Sequence, residues 1–321
     1  MAGPAHVALI GFGEVGSIFA TGLRERGVER ITAFDLLFAD ADSRPSRAAR
    51  TAGIEACGSA VDAAMGAGLV ISAVTAAQAG AAARSVIGGI GQGAFFLDLN
   101  SASPGVKVAA AAEIDAAGGR YVEAAVMSPA PPKGLKTPML LGGPHARDFL
   151  DYAAALALEA KVFSDTVGPA SATKMCRSVM IKGVEALLAE SLLTARHYGV
   201  EGTVLDSLSD LLPHPDWRRQ AAYMISRSLV HGRRRAEEMR EVAVTVAEAG
   251  VEPLMSRSIA ERQDWASVQG VHMDPGAWEA LDIGRMLDAI RTASALKGES
   301  NVSRRAAAGE GLSTVPGDGA R

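Results

Sequence analysis

Three glycines and one aspartate carry the most legible chemistry in the chain. The stretch His6–Gly16, HVALIGFGEVG, opens with a short apolar run and then places Gly11, Gly13 and Gly16 at G-x-G-x-x-G spacing. Gly11 permits a tight turn out of a strand. Gly13, without a Cβ, lets a pyrophosphate approach the backbone. Gly16 lets the following helix pack closely on a sheet, and the N-terminus of that helix then faces an anion. A helix-like segment, Ser17–Arg26, follows, and then a second strand-like run, Ile31–Phe34, ending on Asp35. An acid about twenty residues beyond the glycines is placed to accept both hydroxyls of a ribose. Strand, glycine turn, helix and acid together predict a dinucleotide site formed by Gly11, Phe12, Gly13, Glu14, Val15, Gly16 and Asp35. The Asp35 carboxylate would repel a 2′-phosphate, and Leu36, Leu37 and Phe38 offer no cation in compensation. That favours NAD over NADP, with Arg44 and Arg47 as the nearby residues that complicate the choice.

The elements that must position this site follow from the rest of the chain. Up to about residue 165, strand-like and helix-like segments alternate. Helices are expected at Arg44–Thr51, Ala60–Met65, Ala76–Ile87, Gly105–Ala117 and Arg147–Glu159. Strands are expected at Leu69–Val74, Ala94–Leu97, Tyr121–Val126 and Met139–Leu141. Such alternation indicates a doubly wound, mainly parallel sheet. Ligands of such sheets bind beyond the carboxyl ends of the strands. Thr75, the turn Asn100–Ser103 and the turn Met127–Pro132 all follow strand ends, so all three can line one crevice. Ser103 also stands where it would cap the helix that starts after Pro104.

Near Gly168-Pro169 the pattern changes. Ser171–Tyr198 reads as one helix about 40 Å long, with Met175, Val179, Ile181, Leu187, Leu188 and Leu192 at helical spacing. Helical segments follow at Val204–Leu212, Trp217–Leu229, Arg233–Ala249, Leu254–Val268 and Ala277–Leu296, without strand signals. The chain thus divides into residues 1–165, an α/β dinucleotide-binding domain; residues 166–297, an all-α domain for substrate and dimerisation; and a polar tail, 298–321, expected to be disordered.

Composition excludes several classes. The 321 residues carry a net charge of −4, which gives no basis for a nucleic-acid or membrane-surface partner. Two cysteines, Cys57 and Cys176, make no disulfide framework and suit a reducing cytoplasm. No apolar run is long enough to span a bilayer. The N-terminus enters the first strand without a signal-peptide pattern. The six histidines form no metal-ligand spacing, so no metal is expected.

Three segments resemble the β-hydroxyacid dehydrogenase family, which includes phosphogluconate, hydroxyisobutyrate and tartronate-semialdehyde dehydrogenases and, more distantly, imine reductases. GFGEVGSIFATGL resembles the family's G-x-G-x-M-G-x-x-x-A-x-x-L, with Val15 in the methionine place. DLNSASP resembles its D-x-S-T-x-x-P turn, with Asn100 and Ser101 in the serine and threonine places. GPASATKMCRS resembles the G-x-x-x-x-x-K-x-x-x-N segment that carries the catalytic lysine. The resemblance covers the chain to about Leu296. It implies an α/β Rossmann N-terminal domain, an all-α C-terminal domain, and Lys174 as general acid/base. A homodimer is expected because the long helix and its apolar neighbours need more cover than one small helical domain gives. Three departures stand out. The family's D-x-P-V-S-G-G turn is here Glu123-Ala-Ala-Val-Met-Ser-Pro129. The asparagine four residues after the lysine is here Ser178. The segment His231-Gly-Arg-Arg-Arg-Ala-Glu-Glu-Met resembles a phosphogluconate-dehydrogenase-like subgroup of unsettled substrate.

A lysine serves as a base only when part of it is neutral, which an apolar surrounding promotes. Ala172, Met175 and Val179 flank Lys174; the alternative is a solvated lysine on a helix face. Ser178, at i+4, shares its helix face. Lys174, Ser101 and Ser178 form the expected catalytic set. Asn100, Val74 and Thr75 are expected on the cofactor side, and Met127, Ser128, His231 and Arg235 toward an acidic substrate. The Arg233–Arg235 run reads equally well as a solvated face paired at i,i+4, Arg233 with Glu237 and Arg234 with Glu238. Trp217, Tyr223 and His214, near the Pro213–Pro215 loop, read as core packing before pocket. The resulting expectation is oxidation of a small β-hydroxy acid. The rivals are an NADPH-dependent imine reductase on the same scaffold, against which Lys174 and Asp35 argue, and a dinucleotide-binding sensor without turnover.

Overall fold

The computed structural model describes residues 4–211, 216–270 and 282–293. The tail 298–321, the Pro213–Pro215 loop with His214, and residues 277–281 and 294–296 of the Ala277–Leu296 segment lie outside the described residues.

An eight-stranded sheet organises the first half, in the order β3-β2-β1-β4-β5-β6-β7-β8. In chain order its elements are β1 (His6–Ile10), α1 (Glu14–Glu25), β2 (Arg30–Phe34), α2 (Arg44–Ala52), β3 (Glu55–Ala56), α3 (Ala60–Ala64), β4 (Leu69–Ser72), α4 (Ala79–Ser85), β5 (Phe95–Asp98), α5 (Pro104–Ala116), β6 (Arg120–Val126), β7 (Met139–Gly142), α6 (Ala146–Ala155) and β8 (Ala160–Ser164). All neighbours pair in parallel except β6 and β7, which are antiparallel. The strands alternate their side chains between two cores, as a period of two requires. Val7 and Leu9 of β1, with Phe95 and Leu97 of β5, join Phe19, Leu23 and Phe149 on one face. Ala8, Ile10, Val70 and Phe96 join Ala110, Ile114 and Tyr121 on the other. Both faces are thus covered by helices, which is why the strands read as continuous apolar runs.

Local chemistry sets several boundaries. Ser43 and Ser59 cap α2 and α3, accepting from the backbone amides of Ser46 and Asp62. Pro104 stands at the start of α5, where its missing N–H costs nothing. Ser103 does not cap α5 through its side chain as the sequence suggested: its hydroxyl makes no cap bond, and its backbone N–H donates to Glu241. The expected Ala76–Ile87 helix is a 3₁₀ turn, Ala76–Gln78, followed by α4.

Beyond the sheet come α7 (Pro169–Tyr198), α8 (Glu201–Leu211), α9 (Trp217–Glu248), α10 (Leu254–Gly270) and helical residues 283–293. The two helices expected at Trp217–Leu229 and Arg233–Ala249 are one, and Gly232 lies inside it. A Cβ there would fall 2.4 Å from the Gln263 carbonyl oxygen, so this glycine serves close helix packing and ends nothing. The chain forms two compact units. Of the described residues, the first holds those up to Gly183 with Arg234–Ala260, and the second those of Val184–Arg233 and from Glu261 onward. The second has its own core of Leu188, Leu192, Leu205, Ile225, Leu229 and Leu287. Among the described residues no helix is long and apolar enough to cross a membrane, and no group of His, Cys, Asp and Glu is arranged to hold a metal ion.

Candidate active site

The glycine turn is shaped as its spacing demands. Gly11 has φ +92°, and a Cβ on it would sit 2.4 Å from the Ala73 carbonyl oxygen; a Cβ on Gly16 would sit 2.2 Å from that of Gly11. Gly13, the exposed N-cap of α1, has no heavy atom within 4 Å of its would-be Cβ and supplies no capping side chain. The open ground lies where the first amides of α1 await a partner, which fits a pyrophosphate at a helix N-terminus. Asp35 is fixed at the end of β2. Its Oδ2 accepts from Phe12 N at 2.8 Å and its Oδ1 from Leu37 N at 2.9 Å. The carboxylate is thus tied to the turn it serves, while Leu36 and Leu37 beyond it are exposed. The Phe12 ring is buried against Phe38, so its backbone faces the turn. Glu14 is exposed and Val15 half-buried at the start of α1.

The ends of β1, β4, β5 and β6 point the same way, because these strands are parallel neighbours. This brings Val74 and Thr75, Asn100 and Ser101, and Met127 and Ser128 to one edge of the sheet. Asn100 is buried there: its Oδ1 accepts from Val74 N at 2.7 Å and its Nδ2 donates to Ser72 Oγ at 2.8 Å. The turn beneath it rests on a buried ion pair. Lys107 Nζ lies 2.9 Å from Asp98 Oδ1 and also donates to the Asp98 carbonyl. Tyr121 donates its phenol to Asp98 Oδ2 at 2.7 Å. Burial and then the Asp98 charge push that phenol well above its ordinary value, so it remains a donor.

Lys174 stands in the second turn of α7. Its Nζ donates to Ser101 Oγ at 2.7 Å. The start of α7 is set by Glu123 of β6, fully buried, whose Oε2 accepts from Gly168 N at 2.8 Å and whose Oε1 accepts from Ser171 N at 2.7 Å. A buried carboxylate at a helix N-terminus satisfies amides that no side-chain cap reaches and complements the helix dipole. Burial lowers the Lys174 amine to about 8, with Lys107, Lys182 and Arg234 adding to the effect and Glu238 opposing it. Ser178 shares the face, and its Oγ accepts from Lys182 Nζ at 3.3 Å. Lys182 is itself paired with Glu238 Oε2 at 2.8 Å. Burial raises the Glu238 carboxyl, but Lys182, Arg234 and Lys174 outweigh this and hold it at about 2.

The geometry therefore joins Lys174 to Ser101, and joins Ser178, one turn on along α7, to Lys182. Met127 and Ser128 stand at the end of the neighbouring strand, Met127 tied by its amide to the Pro138 carbonyl. Half-buried Arg235 belongs to the same compact unit as Lys174, whereas His231 falls in the second unit. Arg234 pairs with Glu238 at i,i+4, as the charge pattern suggested. Sequence reasoning missed Glu123, Lys107, Lys182 and Glu238 as parts of the cluster. Lys182 carried a signal, two turns from Lys174 on the same face; Glu123 and the Glu238–Lys182 pair depend on contacts distant in sequence, and Lys107 on the turn that folds it back onto Asp98.

Residues 6–163 match the family model of the NAD binding domain of 6-phosphogluconate dehydrogenase, and residues 195–266 match a domain of unknown function (DUF1932). Among solved structures, a conserved hypothetical protein from Sinorhizobium meliloti 1021 is 36% identical, covers 91% of this chain and 97% of its own, and has a TM-score of 0.68. A conserved protein of unknown function, described as structurally similar to 3-hydroxyacid dehydrogenases, is 34% identical over 83% of this chain and 99% of its own, with a TM-score of 0.63. The 3-hydroxyisobutyrate dehydrogenase of Mycobacterium tuberculosis, solved with L-serine, shares the fold: 16% identity, TM-score 0.67, 87% of this chain and 98% of its own.

Proposed function

The chain belongs to the 6-phosphogluconate dehydrogenase/3-hydroxyacid dehydrogenase-like NAD-binding superfamily, and from that premise we propose that it is an NAD-dependent oxidoreductase that oxidises a small β-hydroxy acid or reduces the corresponding carbonyl acid. The observation that carries this reading is the half-buried Lys174 amine, lowered to about 8 and bonded to Ser101. An amine in that range exchanges a proton near neutral pH, as a general acid/base must.

The N-terminal domain binds an NAD(P)-type dinucleotide; when bound, the nicotinamide supplies the hydride acceptor or donor. Neutral Lys174 takes the proton of the substrate hydroxyl, and Ser101 orients that hydroxyl and the amine toward each other. Ser178 assists from the next turn of α7. Met127 and Ser128, beside Ser101 on the sheet edge, contact the substrate, and Arg235 supplies the counter-charge for its acid group. The preference for NAD rests on Asp35, whose carboxylate is held at the end of β2 where a 2′-phosphate would meet it. A β-hydroxy acid as substrate agrees in chemistry with the L-serine held by the structurally similar hydroxyisobutyrate dehydrogenase. We propose a homodimer because α7 leaves Met180 and Leu187 at the surface, 67% and 61% exposed.

The test is a fluorescence titration with NADH and NADPH, followed by an oxidation panel of three- to six-carbon β-hydroxy acids with the preferred cofactor. Tighter NADH binding with turnover of one panel member is the expected result. NADH binding without any turnover points instead to a sensor, and NADPH preference with reduction of cyclic imines points to an imine reductase.

A further inference from the structure

Helix α9 presents carboxylates to the candidate site at regular intervals. Glu238, Glu241 and Glu248 are three and seven residues apart, close to whole turns of an α-helix. Each has a defined partner in the same compact unit. Glu238 Oε2 lies 2.8 Å from Lys182 Nζ. Glu241 Oε2 accepts from Ser103 N at 3.0 Å, and Glu248 Oε2 accepts from Gly105 N at 3.3 Å. The first contact reaches the lysine helix, and the other two reach the turn that carries Ser101 and the start of α5. Residues 217–248 lie within the segment matched to the domain of unknown function.

The charges around the Lys174 amine come from four elements. Lys182 stands on α7, Glu238 and Arg234 on α9, and Lys107 on α5, the last neutralised by Asp98 of β5. Lys182, Arg234 and Lys174 are three cations, and Glu238 is the one anion of that set. It touches two of them directly, since Arg234 also pairs with it. Lys182 in turn donates to Ser178, which shares the helix face of Lys174. Without Glu238, two further ammonium and guanidinium charges would face a half-buried amine uncompensated, and such crowding disfavours the protonated form.

We propose that Glu238 is a positioning residue of the catalytic centre, which acts through Lys182 to fix the charge of Lys174, while Glu241 holds the turn that presents Ser101. The inference rests on Lys174 being the acid/base of the proposed reaction. Neither Glu238 nor Lys182 touches the reacting atoms in this account.

The test needs neither substrate nor turnover. Trace labelling with acetic anhydride across a pH series, read lysine by lysine by mass spectrometry, gives the midpoint at which Lys174 becomes nucleophilic. Glu238→Gln is expected to lower that midpoint by about one pH unit, because a compensating anion is lost. Lys182→Met is expected to raise it by about the same amount. The double variant, having lost one charge of each sign, returns close to the parent. If Glu238→Gln alone does not fold, as circular dichroism would report, Lys182→Met and the double variant still carry the comparison. Midpoints that do not move, or that move in the same direction in every variant, overturn the proposal. Opposed movements in a protein whose Lys174→Ala form turns over normally would leave the charge coupling intact and remove the catalytic reading instead.

Discussion

The Lys174 amine and the Ser101 hydroxyl meet at 2.7 Å across 73 residues of sequence, so the first part of α7 and the turn after β5 share one polar contact. Removing either side should be felt in turnover and not in dinucleotide binding, to which neither side chain is assigned. Lys174→Ala is expected to reduce kcat by about 10²–10⁴-fold, the usual contribution of a general acid/base. Ser101→Ala, which leaves the amine present but unoriented, is expected to cost about tenfold. Steady-state kinetics beside an NADH titration checks both, and full turnover by Lys174→Ala would sink the assignment.

The same amine sets a pH dependence. Burial first, and then the neighbouring cations against Glu238, bring it to about 8. Oxidation requires the neutral amine, so kcat/KM for oxidation should rise through about pH 8 and level above it. Reduction requires the protonated form and should fall over the same range. Stability follows the sign of proton binding. An unfolded lysine keeps its proton to about pH 10.4, whereas the folded one releases it at about 8. Between these values the unfolded state binds more protons, so this group makes stability rise with pH across that window. Urea midpoints measured from pH 7.5 to 10, parent against Lys174→Met, isolate the effect.

Two glycines of the turn should behave in opposite ways. Gly16→Ala forces a Cβ to 2.2 Å from the Gly11 carbonyl oxygen, and should lower the melting temperature markedly through backbone displacement. Gly13→Ala meets no atom within 4 Å, so the fold should melt as the parent does. Its methyl group would stand in the ground left for the pyrophosphate, and NADH affinity should fall at least tenfold. Thermal melts paired with cofactor titrations separate the two outcomes; equal NADH affinity in Gly13→Ala would remove the pyrophosphate from that position.

The buried pair beneath the Ser101 turn should show the asymmetry of internal ion pairs. Lys107 and Asp98 are each about 1% exposed. Lys107→Met leaves the Asp98 carboxylate buried without its cation and is expected to cost about 3–5 kcal/mol in urea unfolding. Lys107→Met with Asp98→Asn, which removes both charges, should recover a good part of that loss. A Lys107→Met protein as stable as the parent would show that the pair has no role in holding the turn.

What could be read from the sequence, and what could not, follows from distance along the chain. The nucleotide turn was legible because Gly11, Gly13, Gly16 and Asp35 act through backbone shape within one βαβ unit. Helix α7 was legible because its apolar period runs unbroken by proline. The strands β3 and β8 gave little signal: the first has two residues, both exposed, and the second alternates half-buried and exposed positions at the edge of the sheet. The single helix α9 was expected as two, and the packing role of Gly232 between them shows only when its neighbour, here Gln263, is in place. Glu123 and Glu241 gave no sign of their contacts, and Glu238 showed only its pairing with Arg234, not the one with Lys182. Each unmarked partner is 45 or more residues away, and an acid in a strand or in a run of charges has no periodic signature to mark it.

The carboxylate of Glu123 has a consequence for how this chain can change in length. By gripping the amides of Gly168 and Ser171 it locks the rotational phase of α7 against the sheet. Lys174 follows Ser171 by three residues, and each residue turns an α-helix by about 100°. One residue inserted between them would swing the amine to another side of the helix while leaving α7 itself intact. That short interval is a ruler cut to a fixed length, and growth or shrinkage of the chain is admissible only outside it.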